Sequence, residues 1–202
     1  EGDPEWREEV PVRVESIPVR RDGRVLGVIA RNTNLLTVRT PSRLELTYLQ
    51  SASDLAQMIA AGSFPFANQQ VDMDASPRVG DGLIRVDADG IVQYASPNAL
   101  SAYHRLGLAA DLVGQHLGKT TAELAPTRGP VDEALAKVAS GWAPREFEIE
   151  ATDGVIQFRA IPLKPKGTRI GSLVLLRDVT ELRRRERELI TKDATIREIH
   201  HR

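Results

Sequence analysis

Apolar and polar residues alternate at Val10, Val12 and Val14, the chain turns at Arg21-Asp22-Gly23, and the run Val25-Leu26-Gly27-Val28-Ile29-Ala30 returns. Period two on both sides of a turn predicts a strand, a hairpin and a strand over residues 10 to 31. Thr40-Pro41 offers a cap and a first helical residue that needs no N–H, so a helix is expected to about Ala61, with Gly62 stopping it. Leu44, Tyr48, Ala52, Leu55 and Ile59 form one apolar stripe on it, and Leu46, Leu49, Ala56 and Met58 a second, partial one. Two stripes imply two partners, the hairpin's own domain and a copy of the same helix. Two strands and one helix bury little core, so this segment is expected to close a larger domain. Residues 62 to 80, GSFPFANQQVDMDASPRVG, have no period and read as a linker.

The second half opens with Leu83-Ile84-Arg85-Val86, the turn Asp87-Ala88-Asp89-Gly90, and Ile91 to Ala95, a hairpin whose Asp-Gly pair supplies the positive-φ turn. Ser96-Pro97 caps a helix to about Arg105. Short helices are expected around 108 to 113 and 131 to 140. Three strands follow, at 145–151, 155–163 and 169–177, turned at Thr152-Asp153-Gly154 and Lys164-Pro165-Lys166-Gly167. After Asp178-Val179-Thr180 comes an unbroken charged helix to Arg202. Leu182, Leu189 and Ile196 recur on it every seven residues, the period of a parallel coiled-coil seam. Glu186 and Asp193 occupy the alternate seam positions, so the coil is weak and can shift between packings at small cost.

Composition narrows the function classes. A formal charge of -1 gives no general field for nucleic acid or for an anionic membrane. Without cysteine there can be no disulfide, thiolate metal site, iron–sulfur ligation or cysteinyl flavin adduct. No apolar run approaches the roughly 18 residues that span a bilayer, and EGDPEWREE is not a signal sequence, so a cytoplasmic location is expected. A glycine-rich phosphate loop is absent, and ATP binding by this stretch is not expected.

The order of two strands, short helices and three strands resembles the PAS fold. The residues that carry the likeness are GLIRVDADGIVQYASPNAL, the turn Val113-Gly114-Gln115-His116-Leu117-Gly118, and the close Leu175-Leu176-Arg177-Asp178-Val179-Thr180. That resemblance implies a domain over residues 81–180 in which Asp178 and Thr180 fix the output helix by hydrogen bonds. Arg24 to Ile29 and the helix after it look like the last hairpin and closing helix of a GAF domain, covering residues 1–61. The tail IREIHHR resembles the phosphoacceptor box of the histidine kinases in which His-Arg is followed by Val-Lys-Asn-Asn. Together the three segments resemble the actinobacterial soluble sensor kinases that phosphorylate an antitermination response regulator of the ANTAR type. The expected class is α+β, with a partial GAF-like segment, a linker at 62–80, a PAS domain and a signalling helix over 181–202.

The resemblance implies a phosphoacceptor histidine. A seam set by Ile196 and Ile199 points about 70° from His200 and about 170° from His201, at about 100° per residue. His201 therefore projects outward, where its neutral imidazole can meet ATP held elsewhere, and is preferred over His200. ATP and Mg are expected for a kinase domain outside this sequence, and the small molecule sensed by either domain is unknown. His104 and His116 lack a supporting haem motif. Asp72, Asp74, Asp87 and Asp89 lack calcium-loop spacing, so no metal site is expected. Expected partners are a second copy, through helices 41–61 and 181–202, and a response regulator. The competing expectation is the same sensor module feeding a serine phosphatase or a cyclic dinucleotide enzyme.

Overall fold

The computed structural model describes residues 12–34, 40–66, 76–124, 145–151 and 153–200, with the backbone alone at 33–34, 145 and 193–200. The chain divides into two compact units, residues 1–69 with 164–168 and residues 70–163 with 169–202.

In the first unit β1 (Val12–Arg21) and β2 (Arg24–Asn34) form an antiparallel hairpin running from Arg21 opposite Arg24 to Val12 opposite Asn34. Its turn is built from two left-handed residues, Asp22 (φ 51°) and Gly23 (φ 76°), whose twist matches that of the flanking strands. Glu15 lies directly opposite Arg31 and accepts its Nε–H at 2.7 Å. On the other face Val14, Leu26 and Val28 stay more than half exposed.

Helix α1 (Arg43–Ala60) starts two residues later than Thr40-Pro41 suggests. Its cap is Ser42, whose Oγ accepts the Glu45 N–H at 3.2 Å while Glu45 Oε2 accepts the Ser42 N–H at 2.7 Å. This reciprocal box satisfies two N–H groups, which Thr40 has no acid at the right spacing to do. The helix ends as expected, at Ala61 with Gly62 left-handed (φ 70°). Its buried positions are Ser51, Asp54, Ala56 and Met58; Ala56 and Met58 come from the expected second stripe, while Leu44 and Leu55 of the first, beside Ser51 and Met58, are half-buried and Tyr48 is exposed. Polar residues can be buried there because they bond along their own helix. Ser51 Oγ donates to the Thr47 carbonyl at 2.7 Å, and Asp54 accepts from Gln50 at 3.1 Å.

The second unit is a five-stranded antiparallel sheet of β3 (Gly82–Asp87), β4 (Val92–Ala95), β5 (Arg145–Ala151), β6 (Gly154–Leu163) and β7 (Gly171–Asp178), in the order β4-β3-β7-β6-β5. In the β3–β4 turn only Gly90 is left-handed (φ 81°), and Asp87 Oδ1 accepts the N–H groups of Asp89 and Ile91, both at 2.9 Å. Helix α2 (Pro97–Arg105) begins at its expected cap, Ser96, whose Oγ also accepts the Leu83 N–H at 2.8 Å. It crosses so close to β3 that a Cβ on Gly82 would lie 2.7 Å from the Ala99 nitrogen.

The helix expected at 108–113 is irregular backbone, and α3 (Leu117–Leu124) forms instead, one turn beyond the left-handed Gly114 (φ 85°). His116 precedes it and accepts the Lys119 N–H on Nδ1 at 3.4 Å. The helix expected at 131–140 lies outside the described residues. Before α3, the Val113-Gly114-Gln115-His116 turn runs along β4. Gly114 N–H donates to Val92 O at 2.8 Å, Val92 N–H to Gln115 O at 2.9 Å and Leu117 N–H to Gly90 O at 2.9 Å.

The core lies between the sheet and these helices. Phe158 is fully buried, stacked on Phe147 with centroids 4.9 Å apart and meeting Tyr103 edge to face at 6.0 Å. The Thr121 hydroxyl donates to Leu117 O at 2.7 Å, so at 2.6 Å the buried Tyr103 hydroxyl is the donor to Thr121 Oγ1. Loss of water raises the Tyr103 hydroxyl well above the usual phenol range, so it stays a donor. From Thr180 the last helix, α4, runs to His200.

Candidate functional site at the base of the terminal helix

β7 does not simply end. The Val179 N–H donates to Val155 O at 2.9 Å and its buried side chain closes the sheet, while its own carbonyl accepts the Arg183 N–H at 2.9 Å and starts α4. On either side of it stand the two residues that sequence reasoning singled out. Asp178 Oδ1 accepts both the N–H of Thr180 at 3.0 Å and its hydroxyl at 2.5 Å. With its proton so committed, Thr180 Oγ1 accepts the Val155 N–H at 3.0 Å. The other oxygen, Asp178 Oδ2, accepts from Arg105 Nη1 at 2.5 Å, at the end of α2. One tripeptide therefore joins β6, α2 and α4. Burial pushes the Asp178 carboxyl up, but the bonds from Thr180 and Arg105 outweigh it and bring it down to about 2.

Gly154 makes this approach possible, since a Cβ there would overlap Thr180 Oγ1. Next along the helix, Arg183 donates through Nε to both carboxylate oxygens of Glu148, at 3.1 and 2.9 Å, and through Nη2 to Oε1. Arg187 donates to Glu150 at 2.5 Å. Glu148 and Glu150 are two residues apart on β5, about 6.7 Å, and Arg183 and Arg187 are one helical turn apart, about 6 Å. Strand and helix thus present matching charges in step. Glu181, in the first turn, is brought down to about 2 by Arg184 and Arg185 despite some loss of water. Between the β5–β6 turn and α4 lies an open groove of about 890 Å³, lined by Ala151, Val155, Thr180, Arg184 and Thr191 among others.

Of the expected site residues, Asp178 and Thr180 come together here. Leu182 and Leu189 are 51% and 62% exposed on a helix seen without a partner. The side chains of Ile196 and His200, and the whole of His201, lie outside the described residues, as do Asp72 and Asp74. His104 is exposed in the last turn of α2, and His116 caps α3. Among the described residues, no three potential metal ligands gather. Arg105, Glu148, Glu150, Gly154, Arg183 and Arg187 were not foreseen. The spacing of Glu148 and Glu150 against Arg183 and Arg187 is the signal that could have found the last pairs.

Sheet order, terminal Asp-x-Thr and outgoing helix are those of a sensor fold, and residues 77–184 match the family model described as the PAS fold. The chain belongs to the PAS family. Ahead of the PAS domain, residues 1–52 match the model described as the GAF domain of histidine kinase PdtaS. The sensor histidine kinase PdtaS of Mycolicibacterium smegmatis is 44% identical over 94% of this chain and 38% of its own length. The Mycobacterium tuberculosis protein of the same name is 45% identical over 94% of this chain and 39% of its own. The chain thus spans about two fifths of these relatives. A solved structure described as the sensor region of a sensor histidine kinase is 39% identical, with a TM-score of 0.75 over 84% of this chain and 66% of that one. Together these comparisons identify the chain as a sensor region of the histidine-kinase type. No helix among the described residues is long and apolar enough to cross a membrane.

Proposed function

We propose that this chain is the input half of a cytoplasmic, dimeric two-component histidine kinase. A GAF domain closing at residues 1–61 and the PAS domain at 81–180, joined by the linker 62–80, bias a terminal helix that presents His201. His200 is the second choice. A kinase domain outside this sequence binds Mg-ATP, the neutral imidazole nitrogen attacks the γ-phosphorus, ADP leaves, and the phosphoryl group passes to an aspartate of a response regulator of the ANTAR type. Support comes from one observation above the rest, the Asp178–Thr180 junction, where the Asp178 carboxylate ties α2 to the start of α4 and the Thr180 hydroxyl ties that start to β6. A shift in any of these elements must be felt at the base of the helix.

Two open apolar surfaces fit the same reading. The exposed Val14, Leu26 and Val28 face of the hairpin suits the rest of a GAF domain, and the exposed Leu182 and Leu189 suit a parallel copy of α4. The decisive experiment is phosphorylation of the full-length protein with γ-labelled ATP, comparing His201→Gln and His200→Gln. Loss of label in His201→Gln alone is the expected result. Label retained in both variants would overturn the choice of these histidines, and no label in the unsubstituted protein would overturn the reading and favour the same module feeding a phosphatase or cyclic dinucleotide output.

A further inference from the structure

The end of β7 works on both faces of the sheet. Leu176 belongs to the core and Asp178, two residues on, reaches α2, while Arg177 points to the opposite face. There it grips the segment through which the chain enters the PAS domain. Arg177 Nε donates to Asp81 Oδ1 at 3.1 Å, and Nη2 donates to Asp81 Oδ2 at 2.7 Å and to the Ser76 carbonyl at 2.5 Å. Asp81 in turn accepts the Arg78 N–H at 2.9 Å, so residues 76–81 form a closed turn held by one planar guanidinium. The two side chains are 17% and 10% exposed, far less than the helix-surface ion pairs of α4. At that burial a fork-to-carboxylate pair is a fixed joint and not a screened surface contact.

The strand register places this joint in line with the hold on α4. Glu148 of β5 lies opposite Gln157 of β6, and Gln157 lies opposite Arg177 of β7. Glu148, Gln157 and Arg177 therefore form one row across three hydrogen-bonded strands, on the face away from Phe147, Ile149 and Phe158. Its ends hold different things. Arg177 holds the entering turn through Asp81, and Glu148 holds α4 through Arg183. At about 4.8 Å per strand these two clamps are about 10 Å apart, with no loop between them.

We infer that the row Asp81–Arg177–Gln157–Glu148–Arg183 couples the linker entering the PAS domain to the outgoing helix along the sheet's outer face, without passing through the core. Displacing residues 76–81 shifts Arg177 and, with it, the adjoining Asp178–Thr180 junction and the neighbouring strands that carry Glu148. The state of the first domain is thereby read at α4 whether or not the PAS core changes. The inference rests on the proposal that α4 is the output element, and it makes Arg177 and Asp81 positioning residues.

The test is hydrogen exchange by mass spectrometry on the full-length protein with Asp81→Asn, Arg177→Gln and both. Each single variant is expected to speed exchange of the α4 amides from Leu182 to Arg187 about fivefold or more, with the amides of Val174 and Leu176 unchanged. The double variant should be no faster than either single one, because the two side chains act as a unit. Unchanged α4 exchange in both single variants would overturn the inference, as would equal loosening of the core amides or additive effects in the double variant. Arg177→Lys, which keeps the charge and loses the fork, should fall between wild type and Arg177→Gln. The readout does not require phosphoryl transfer, so a full-length protein that takes no label would refute the proposed function and leave this result to stand or fall by itself.

Discussion

Replacing Thr180 by valine keeps the shape of the side chain and removes its oxygen. Two bonds disappear, the one accepted from the Val155 N–H at 3.0 Å and the one donated to Asp178. Val155 is buried but its bond to Thr180 is part-buried beside the open groove, so leaving that donor unsatisfied costs about 1–2 kcal/mol. The bond to Asp178 adds less, because that side chain is 43% exposed and water replaces the lost donor. A total near 2 kcal/mol is expected, which in a domain of this size lowers the melting temperature by about 10 °C. The same change alters the acid limb. Asp178 is at about 2 when folded against 3.8 for the free group, so its contribution is present above about pH 4 and is lost as the pH falls toward 2. Without Thr180's donation the folded value moves back toward 3.8, so less stability is lost on acidification and the loss is complete at a higher pH. Thermal melts at pH 7 and pH 3.5, together with exchange of the Val155 amide, measure all of this. A melting point within about 2 °C of wild type with a still-protected Val155 amide would refute the account of the junction.

Gly154→Ala should reproduce much of the Thr180→Val effect, because the new Cβ overlaps Thr180 Oγ1, and combining the two should cost less than their sum in urea melts. Tyr103→Phe removes a buried donor and leaves Thr121 Oγ1 bonded only through its own proton. A loss of about 1 kcal/mol is expected by denaturation, with the stacked Phe147–Phe158 pair intact by near-ultraviolet spectra. Ser42→Ala opens the capping box of α1 and should cost about 1 kcal/mol, seen as faster exchange at Glu45. Leu182→Asp with Leu189→Asp should convert a dimer to monomer in analytical ultracentrifugation if the exposed seam is the dimer contact.

What the sequence made legible follows from how local each signal is. The hairpin at Asp22-Gly23, the cap at Ser96-Pro97 and the three late strands are set by neighbours within a few residues, and they lie where the pattern puts them. Thr40-Pro41 misled because two valid cap signals stood side by side, and the acid at Glu45 chose Ser42. Residues 108–113 have the apolar content of a helix, but Leu112 is buried from an irregular segment, and the left-handed Gly114 lies between it and α3. At the site, Asp178 and Thr180 were visible as a cap-like pair because they are two residues apart. Their partners Arg105 and Val155, 73 and 25 residues away, were not, since only the closed sheet brings them together.

The turn that lies along β4 has a consequence for assembly. Three backbone hydrogen bonds, from Gly114, to Gln115 and from Leu117, occupy the outer side of Val92, at the start of that strand, and of its turn. A foreign strand seeking to extend the sheet there would have to break them before forming its own, and would meet a loop already anchored by the buried Leu112 and Leu117. Edge-to-edge pairing of copies is thus opposed at the Val92 end of that strand. A sheet border closed by the domain's own backbone narrows the ways in which two copies could meet.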